Sequence, residues 1–259
     1  VNPAFPGIRS PEPIAANLTK LGEVVAKEGA TAGLATDGDA DRLGVVDEKG
    51  QFVTQLQVCA LLLLYLLEVR GERGPIVRTV TGTKMADRLA QLHGLPLYET
   101  PVGFKYVGPR MMETGAIFGG EESGGYGFRG HIPERDGILS GLYFLELMTK
   151  MEKSPCELVE YLYQKVGPHY YDRIDKHFPA EQKEAIIARL RASQPAKLAG
   201  VAVGRINTID GFKYELADGS WLLVRFSGTE PILRIYSEAP APERVRELLS
   251  AGERLTGLG

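Results

Sequence analysis

Apolar residues follow helical spacing near the start of the chain and then fall into short strand-like blocks. Between Pro13 and Glu28 they recur every three or four positions, which predicts an amphipathic helix. Residues 30–36 predict a buried strand, and residues 43–53 predict two strands joined by a turn at Lys49-Gly50. The expected apolar face of the helix comprises Ile14, Leu18, Leu21, Val24 and Val25.

Between residues 54 and 166, strand-like and helix-like stretches alternate. This order is typical of an α/β unit with a mostly parallel sheet. The glycine-rich segment 121–127 predicts a loop. The expected strands are 75–81, 95–101 and 116–120, and the expected helices are 56–69, 84–93, 105–114, 137–150 and 155–166.

After Gly167 the pattern changes to strands punctuated by turn signals. Asp210-Gly211 and Asp218-Gly219 each predict a β-hairpin. Further strands are expected at 169–178 and 232–239, with amphipathic helices at 180–193 and 241–255. These changes place one domain boundary near 165–170 and another near 50–57.

Composition narrows the functional classes. The chain has 259 residues and a net charge of −3, so it has no overall basic field for a nucleic acid or a membrane surface. Its longest apolar stretch, Val58 to Leu67, is far shorter than the ~20 residues that span a bilayer. With no basic or apolar leader at residues 1–13, we expect a cytoplasmic protein. Cys59 and Cys156 are expected to be buried structural thiols.

Three carboxylates alternate in the segment Asp37-Gly38-Asp39-Ala40-Asp41-Arg42. The small spacers allow Asp37, Asp39 and Asp41 to converge on one hard cation such as Mg²⁺, which prefers oxygen ligands. Arg42 would add a contact to a phosphate group.

Two other interpretations of this loop stay open. In the first, it is a calcium loop of the EF-hand type with Glu48 as its last ligand, although Arg42 stands where that loop needs glycine and the flanking residues resemble strands rather than helices. In the second, it is a solvated acidic turn without a ligand.

Two further segments combine glycines with polar side chains. In the segment 119–125, Glu121 and Ser123 are two residues apart and could bind neighbouring sugar hydroxyls. In the segment 225–231, an arginine, two hydroxyl side chains and a tight turn form a candidate phosphate-binding nest, and Arg234 follows in the next strand. A simple turn connecting strands explains either segment taken alone.

Taken together and in this order, the segments DGDADR, GEESGG and RFSGTEP resemble the α-D-phosphohexomutase family, which includes phosphoglucomutases, phosphomannomutases and phosphoglucosamine mutases. TPVGFKYV at 100–107 and HIPERDG at 131–137 resemble it as well. The resemblance implies a mixed-sheet α/β domain followed by a smaller α+β (TBP-like) C-terminal domain. It divides the chain into 1–53 (end of domain 2, with the metal loop), 54–166 (domain 3, sugar recognition) and 167–259 (domain 4, phosphate binding).

The resemblance also implies a function and its residues. The reaction would be an intramolecular phosphoryl transfer between hexose 1-phosphate and hexose 6-phosphate through a hexose 1,6-bisphosphate, with glucose favoured and mannose possible. Mg²⁺ would be the cofactor. The implied metal ligands are Asp37, Asp39 and Asp41, the implied catalytic residues are Arg42, Lys105, His131 and Arg135, and the implied substrate-binding residues are Glu121, Ser123, Arg225, Ser227, Gly228, Thr229 and Arg234.

The sequence departs from the family pattern in two places. Gly125 stands where many members have a histidine, and Arg135 precedes the Asp-Gly of HIPERDG, although an arginine is a poor general base. The family's phosphoserine motif, of the type Thr-Ala-Ser-His-Asn-Pro, is absent, and Ser10 lies among prolines instead. We therefore expect the serine to come from an N-terminal domain. The chain by itself would then be a non-catalytic Mg²⁺- and sugar-phosphate-binding fragment, or, more remotely, a Ca²⁺-binding module.

Overall fold

A computed structural model describes residues 5, 7–8, 10–228 and 231–258. The chain divides into two compact units, residues 1–166 and residues 167–259.

The first unit begins with a helix packed on a small antiparallel sheet. Helix α1 (Ala15–Glu28) is followed by β1 (Gly33–Thr36), β2 (Leu43–Val46) and β3 (Phe52–Val53), which are neighbours in that order. Leu18 and Val25 of α1 are buried against the sheet, but the sequence prediction is wrong for Ile14 and Val24, which are 38% and 48% exposed.

The rest of the first unit is a mixed sheet surrounded by helices. Its strand order is β5-β4-β6-β7, with β4 parallel to both β5 and β6 and β7 antiparallel to β6, so the expectation of a mixed sheet is confirmed. The strands are β4 (Ile76–Thr79), β5 (Leu97–Thr100), β6 (Phe118–Gly120) and β7 (Tyr126–Phe128). The helices are α2 (Gln55–Leu64), α3 (Lys84–Leu92), α4 (Phe104–Thr114), α5 (Gly137–Met151) and α6 (Pro155–Val166).

Helix α2 is the central helix of this unit. Thr54 and Gln57 form a reciprocal capping box at its start, and a π-helical turn at Tyr65–Val69 continues from its end. The helix is apolar on all sides because α3, α5 and α6 pack around it. The predicted loop at 121–127 is shorter than expected, since β7 begins at Tyr126.

The second unit is a six-stranded antiparallel sheet with a core on one face. The strand order is β8-β13-β12-β11-β10-β9, and both predicted Asp-Gly pairs lie in the turns that flank β11. Leu222, Val224 and Ile235 pack in one core with Leu248 of α8. The elements are β8 (Tyr170–His177), a 3-10 turn (Ala180–Gln182), α7 (Lys183–Ala192), β9 (Lys197–Leu198), β10 (Val201–Asn207), β11 (Phe212–Leu216), β12 (Trp221–Phe226), β13 (Ile232–Ala239) and α8 (Pro242–Thr256).

Two smaller expectations have different outcomes. Within the described part of the chain, no helix combines the length and the apolar character that crossing a bilayer requires. Cys59 is buried as expected, but Cys156 is only partly buried and its Sγ lies 3.2 Å from Nζ of Lys49.

Candidate functional site

The Asp loop lies between β1 and β2 of the first unit. Asp37 follows the end of β1 directly, and β2 begins one residue after Arg42. One carboxylate oxygen from each of Asp37, Asp39 and Asp41 lies within 4.8 Å of the others. The three side chains that the sequence singled out are therefore brought together.

Arg42 holds this loop in shape. The backbone N–H groups of Asp41 and Arg42 donate to Oδ1 of Asp37 at 3.0 and 3.1 Å, and Nε of Arg42 donates to Oδ2 of Asp37 at 2.6 Å. Nη1 of Arg42 also donates to Oε1 of Glu12 at 3.2 Å. The arginine thus connects the acidic loop to the segment that precedes α1.

The segment 121–125 closes a tight loop between β6 and β7. The N–H of Glu121 donates to the carbonyl of Gly125 at 3.0 Å. The side chain of Glu121 is buried, and its Oε1 accepts from the N–H of Gly103 at 2.9 Å. Glu122 accepts a 2.6 Å hydrogen bond from the hydroxyl of Thr81, which follows β4. Both carboxylates therefore have fixed orientations.

Backbone hydrogen bonds tie the Asp loop, the 121–125 loop and the 131–137 segment together. The N–H of Leu43 donates to the carbonyl of Gly124 at 2.9 Å, and the N–H of Gly137 donates to the carbonyl of Ala40 at 3.0 Å. Arg42 and Gly125 form an isolated antiparallel bridge. These contacts all lie within the first unit and assemble one polar site.

Arg135 spans the middle of this site. Its Nη2 lies 2.5 Å from Oδ2 of Asp41, and its Nη1 donates to Oε2 of Glu121 at 3.2 Å. One guanidinium group thus pairs with a carboxylate of the Asp loop and with a carboxylate of the 121–125 loop.

Burial and neighbouring charges shift the pKa values of the acidic groups in different directions. Burial raises the pKa of Asp41 to about 6, with the adjacent Asp37 adding to the effect and Arg135 opposing it. Burial and the neighbouring Glu122 raise the pKa of Glu121 to about 7, again against Arg135. Burial works against ionisation of Asp37 as well, but the hydrogen bonds from Arg42 outweigh it and lower the pKa of Asp37.

In the second unit, the segment 225–231 begins with the last two residues of β12 and leads to β13. Arg225 and Arg234 face each other across these strands, and each has an acidic partner. Nε of Arg225 donates to Oδ2 of Asp210 at 2.8 Å, and Nε of Arg234 lies 3.8 Å from Oδ2 of Asp175. Gly228 is exposed, and an added Cβ there would meet no atom of the described residues within 4 Å.

The N–H of Ser227 donates to the carbonyl of Ile232 at 2.8 Å, which closes the turn between β12 and β13. The predicted site residue Thr229 lies outside the described residues.

Comparison with protein families identifies three successive matches. Residues 1–50 match phosphoglucomutase/phosphomannomutase alpha/beta/alpha domain II, residues 55–166 match domain III, and residues 179–251 match the C-terminal domain. The chain belongs to the phosphoglucomutase/phosphomannomutase family. The α-D-phosphohexomutase resemblance read from the motifs is therefore confirmed.

Individual family members extend this finding. The chain is 37% identical over 97% of its length to a phosphoglucomutase/phosphomannomutase of Thermococcus kodakarensis, and it covers 52% of that protein. It is 38% identical over 93% of its length to a Methanothermobacter thermautotrophicus protein named as a phosphoglucosamine mutase, of which it covers 51%. A Thermus thermophilus structure named as a phosphomannomutase superimposes with a TM-score of 0.79 at 36% identity, with 95% of this chain and 51% of that chain covered. The chain thus spans about half the length of these relatives.

The structure places three more of the residues singled out from the phosphohexomutase motifs. Lys105 is exposed, and its Nζ lies 5.1 Å from the ring centre of Tyr106. Nε2 of His131 lies 2.9 Å from Oδ2 of Asp136, whose other oxygen caps α5. Ser123 is half-buried within the 121–125 loop.

The calcium-loop interpretation fails on geometry. Glu48 lies in the turn between β2 and β3, where its carboxylate accepts a 2.8 Å hydrogen bond from the hydroxyl of Ser154. Strands rather than helices flank the loop.

Sequence reasoning missed three contributors to the site. They are Glu12, the backbone N–H of Gly103 and the hydroxyl of Thr81. Gly103 lies in the segment TPVGFKYV that resembles the family, and Glu12 lies within residues 1–50 that match domain II, so both positions carried a signal. Thr81 gave none, because its role depends on the pairing of β4 with β6.

Proposed function

We propose that this chain carries the metal-, sugar- and phosphate-binding parts of a mutase that interconverts hexose 1-phosphate and hexose 6-phosphate. The observation that carries the proposal is the assembly of the Asp loop, the 121–125 loop and Arg135 in one polar site. Membership in the phosphoglucomutase/phosphomannomutase family supports the same class of reaction.

The Asp loop fits Mg²⁺. Asp37, Asp39 and Asp41 offer only oxygen ligands, their carboxylates converge, and the short spacers keep them on one turn. Bound there, Mg²⁺ would polarise the phosphoryl group that is transferred. Arg42 lies beside these carboxylates and is proposed to contact the same phosphoryl group.

The 121–125 loop is proposed to hold the sugar. Both carboxylate oxygens of Glu121 are oriented by Gly103 and Arg135, so their remaining lone pairs point in fixed directions for sugar hydroxyls. Ser123 would bind a neighbouring hydroxyl. The GEESGG and ERDG pattern favours glucose phosphates, mannose phosphates remain possible, and the glycine at 125 disfavours glucosamine phosphate.

The turn at 225–231 in the second unit is proposed to bind the phosphate that is not reacting. Arg225 and Arg234 lie side by side on adjacent strands, which places two guanidinium groups on one face. Ser227, Gly228 and Thr229 would contribute hydroxyl and N–H donors, and Gly228 leaves open space for close approach.

The phosphoryl donor is proposed to be a phosphoserine of an N-terminal domain. No serine among the 259 residues lies in a Thr-Ala-Ser-His-Asn-Pro type setting. The oxygen of a free sugar hydroxyl would bond to phosphorus as the Oγ–P bond of the phosphoserine breaks. The hydroxyl proton would end on the serine oxygen, so that a hexose 1,6-bisphosphate and a free serine form. After reorientation of this intermediate, the other phosphoryl group returns to the serine. Arg135 would stabilise charge rather than accept the proton, because an arginine is a poor general base. Lys105 is proposed to approach the reacting phosphate, and His131 to orient Asp136 and the 131–137 segment.

A mutase assay tests this proposal. The chain is assayed with glucose 1-phosphate, Mg²⁺ and a trace of glucose 1,6-bisphosphate, first alone and then together with a serine-bearing N-terminal half from a relative. We expect no turnover alone and restored turnover with the added half. Turnover by the chain alone would show that its nucleophile lies within these residues and would overturn the proposal.

A substitution in the Asp loop tests the metal assignment separately, in the assay that contains the added N-terminal half. Asp39→Asn should abolish the Mg²⁺-dependent turnover, whereas Glu23→Gln removes one exposed carboxylate from α1 and should leave it unchanged. Full activity of Asp39→Asn would remove Asp39 from the set of ligands.

A further inference from the structure

Arg135 occupies a position that matters for cation binding. Its Nη2 contacts Oδ2 of Asp41 at 2.5 Å, and Asp41 is one of the three carboxylates that converge in the Asp loop. Both oxygens of Asp37 already accept hydrogen bonds from its own loop. A divalent cation placed among the three carboxylates therefore meets a positive charge that already neutralises one of its ligands.

A glycine makes this position of Arg135 possible. A Cβ added at Gly125 would lie 2.1 Å from Cδ and 2.8 Å from Cγ of Arg135. The backbone of Gly125 is not in the left-handed region, whereas Gly124 beside it has a φ of 93°. Gly125 is therefore required for the space that the arginine side chain takes, and not for the shape of the loop.

We propose that Gly125 and Arg135 form a positioning pair that sets the cation affinity of the Asp loop. Arg135 competes with the divalent cation for Asp41, and the absence of a side chain at 125 is what allows it to reach that carboxylate. When a cation takes Asp41, electrostatic repulsion drives the guanidinium away from Asp41. Its second partner, Glu121, then keeps it on the 121–125 loop. The inference rests on the proposed metal role of the Asp loop.

This exchange links the two loops. Asp41 is partly buried, so it would be costly in free energy for the divalent cation and the guanidinium of Arg135 to share this single carboxylate. Release of Arg135 from Asp41 leaves the guanidinium with Glu121 and the exposed Glu134 as partners, beside the residues proposed to hold the sugar phosphate. The pair therefore couples cation binding to the charge of the substrate-facing loop.

Direct Mn²⁺ binding to the chain tests the inference without any activity measurement. Mn²⁺ is titrated into the wild type, Arg135→Gln, Gly125→Ala and Arg110→Gln, and the free ion is followed by electron paramagnetic resonance. Arg110→Gln is the matched control, because it removes one positive charge from a partly exposed arginine paired with Glu113 on α4.

We expect Arg135→Gln to bind Mn²⁺ about tenfold more tightly than the wild type, since one nearby positive charge is removed. Gly125→Ala keeps every charge but displaces Arg135, so it should also bind more tightly. Arg110→Gln should match the wild type to within about twofold, because its charge is screened by solvent.

The outcomes separate the two proposals. Unchanged or weaker binding by both Arg135→Gln and Gly125→Ala, with a wild type that binds, would overturn the positioning pair and leave the metal role standing. Tighter binding by Arg135→Gln but not by Gly125→Ala would refute the part assigned to Gly125. No binding by any of the four proteins would overturn the metal role and this inference with it.

Discussion

Glu121 shows how burial changes the behaviour of a single carboxyl group. Glu121 is only 3% exposed, and this burial, together with the neighbouring Glu122, raises the pKa of its carboxyl group to about 7. In the unfolded chain a glutamate ionises near pH 4.5, so between these values the folded state holds a proton that the unfolded state has lost. The favourable contribution is complete at low pH and is lost as the pH rises towards 7.

Glu121→Gln should therefore flatten part of the pH dependence of stability. We expect the free energy of unfolding of the wild type to fall between pH 4.5 and 7 by about 2–3 kcal/mol more than that of the variant, because glutamine does not titrate. Urea unfolding at several pH values measures the difference. Glu23→Gln, on the exposed side of α1, serves as the control, and parallel curves for the wild type and Glu121→Gln would contradict the prediction.

Arg78 is a buried charge with two acidic partners. Its side chain is 3% exposed, its Nε and Nη2 donate to the two oxygens of Asp87 at 2.7 and 2.8 Å, and Nη1 pairs with Glu99. The residue lies on β4, which also leads to Thr81 and so to the 121–125 loop. The ion pairs therefore fix the strand from which Thr81 reaches Glu122.

Arg78→Met should destabilise the chain by about 3 kcal/mol, because Asp87 and Glu99 lose their buried guanidinium partner, while Lys84 stays 3.3 Å from Asp87. Lys27→Met is the contrasting variant, since Lys27 and Glu28 have side chains that are 81% and 64% exposed. We expect it to cost less than about 1 kcal/mol. Equal losses for the two variants in urea unfolding would show that burial does not strengthen the Arg78 pairs.

At the scale of elements, the start of α5 sets the distance between this helix and the Asp loop. Asp136 caps the helix by accepting from the N–H of Leu139 at 2.8 Å. The first helical residue, Gly137, packs directly on the loop, and a Cβ there would lie 2.6 Å from the carbonyl oxygen of Arg42 and 2.9 Å from that of Ala40. Backbone atoms cannot move aside as a side chain can.

Gly137→Ala should therefore lower stability by about 1–3 kcal/mol and weaken Mn²⁺ binding, because the Asp loop must shift. Gly141→Ala, one turn later on the same helix, is the matched control. Its Cβ would meet atoms only at 3.5 and 3.6 Å, which is ordinary contact. That variant should be neutral or stabilising by up to about 1 kcal/mol. Thermal unfolding and Mn²⁺ titration of both variants measure the contrast, and similar losses for the two would refute it.

At the scale of the whole molecule, the chain consists of two units with separate cores. The second unit joins six strands and two helices around its own apolar cluster. Trp221, the single tryptophan of the chain, is buried in this unit and therefore reports on it.

A fragment of residues 167–259 should fold by itself. We expect one cooperative urea transition that is followed both by circular dichroism and by the emission of Trp221, since the sheet and its core lie within the fragment. The fragment 1–166, which contains no tryptophan, is measured by circular dichroism alone for comparison. A gradual transition of 167–259 without cooperativity would show that its core is insufficient.

The order of elements followed from the sequence, because periodicity and turn residues are local properties. The helices α3 to α6 and the Asp-Gly turns of the second unit lie close to their predicted places. The start of β7 was missed because its glycine-rich sequence has no strand pattern, and pairing with β6 decides it. The sequence wrongly predicted Val24 on the buried face of α1, because helical spacing does not show how far the neighbouring sheet extends.

The sequence by itself determined the family, since its motifs consist of defined residue types at short spacings, and through that resemblance it predicted the mixed α/β architecture. It also predicted that three aspartates could converge, as one of three interpretations of their loop. Tertiary structure alone decided which groups these residues meet. Only the fold brings Arg135 between Asp41 and Glu121, places its side chain over Gly125 and turns His131 towards Asp136. The contact between Arg135 and Asp41 joins segments far apart in the chain, and it depends on how the loops after β1 and before α5 pack together rather than on any local pattern.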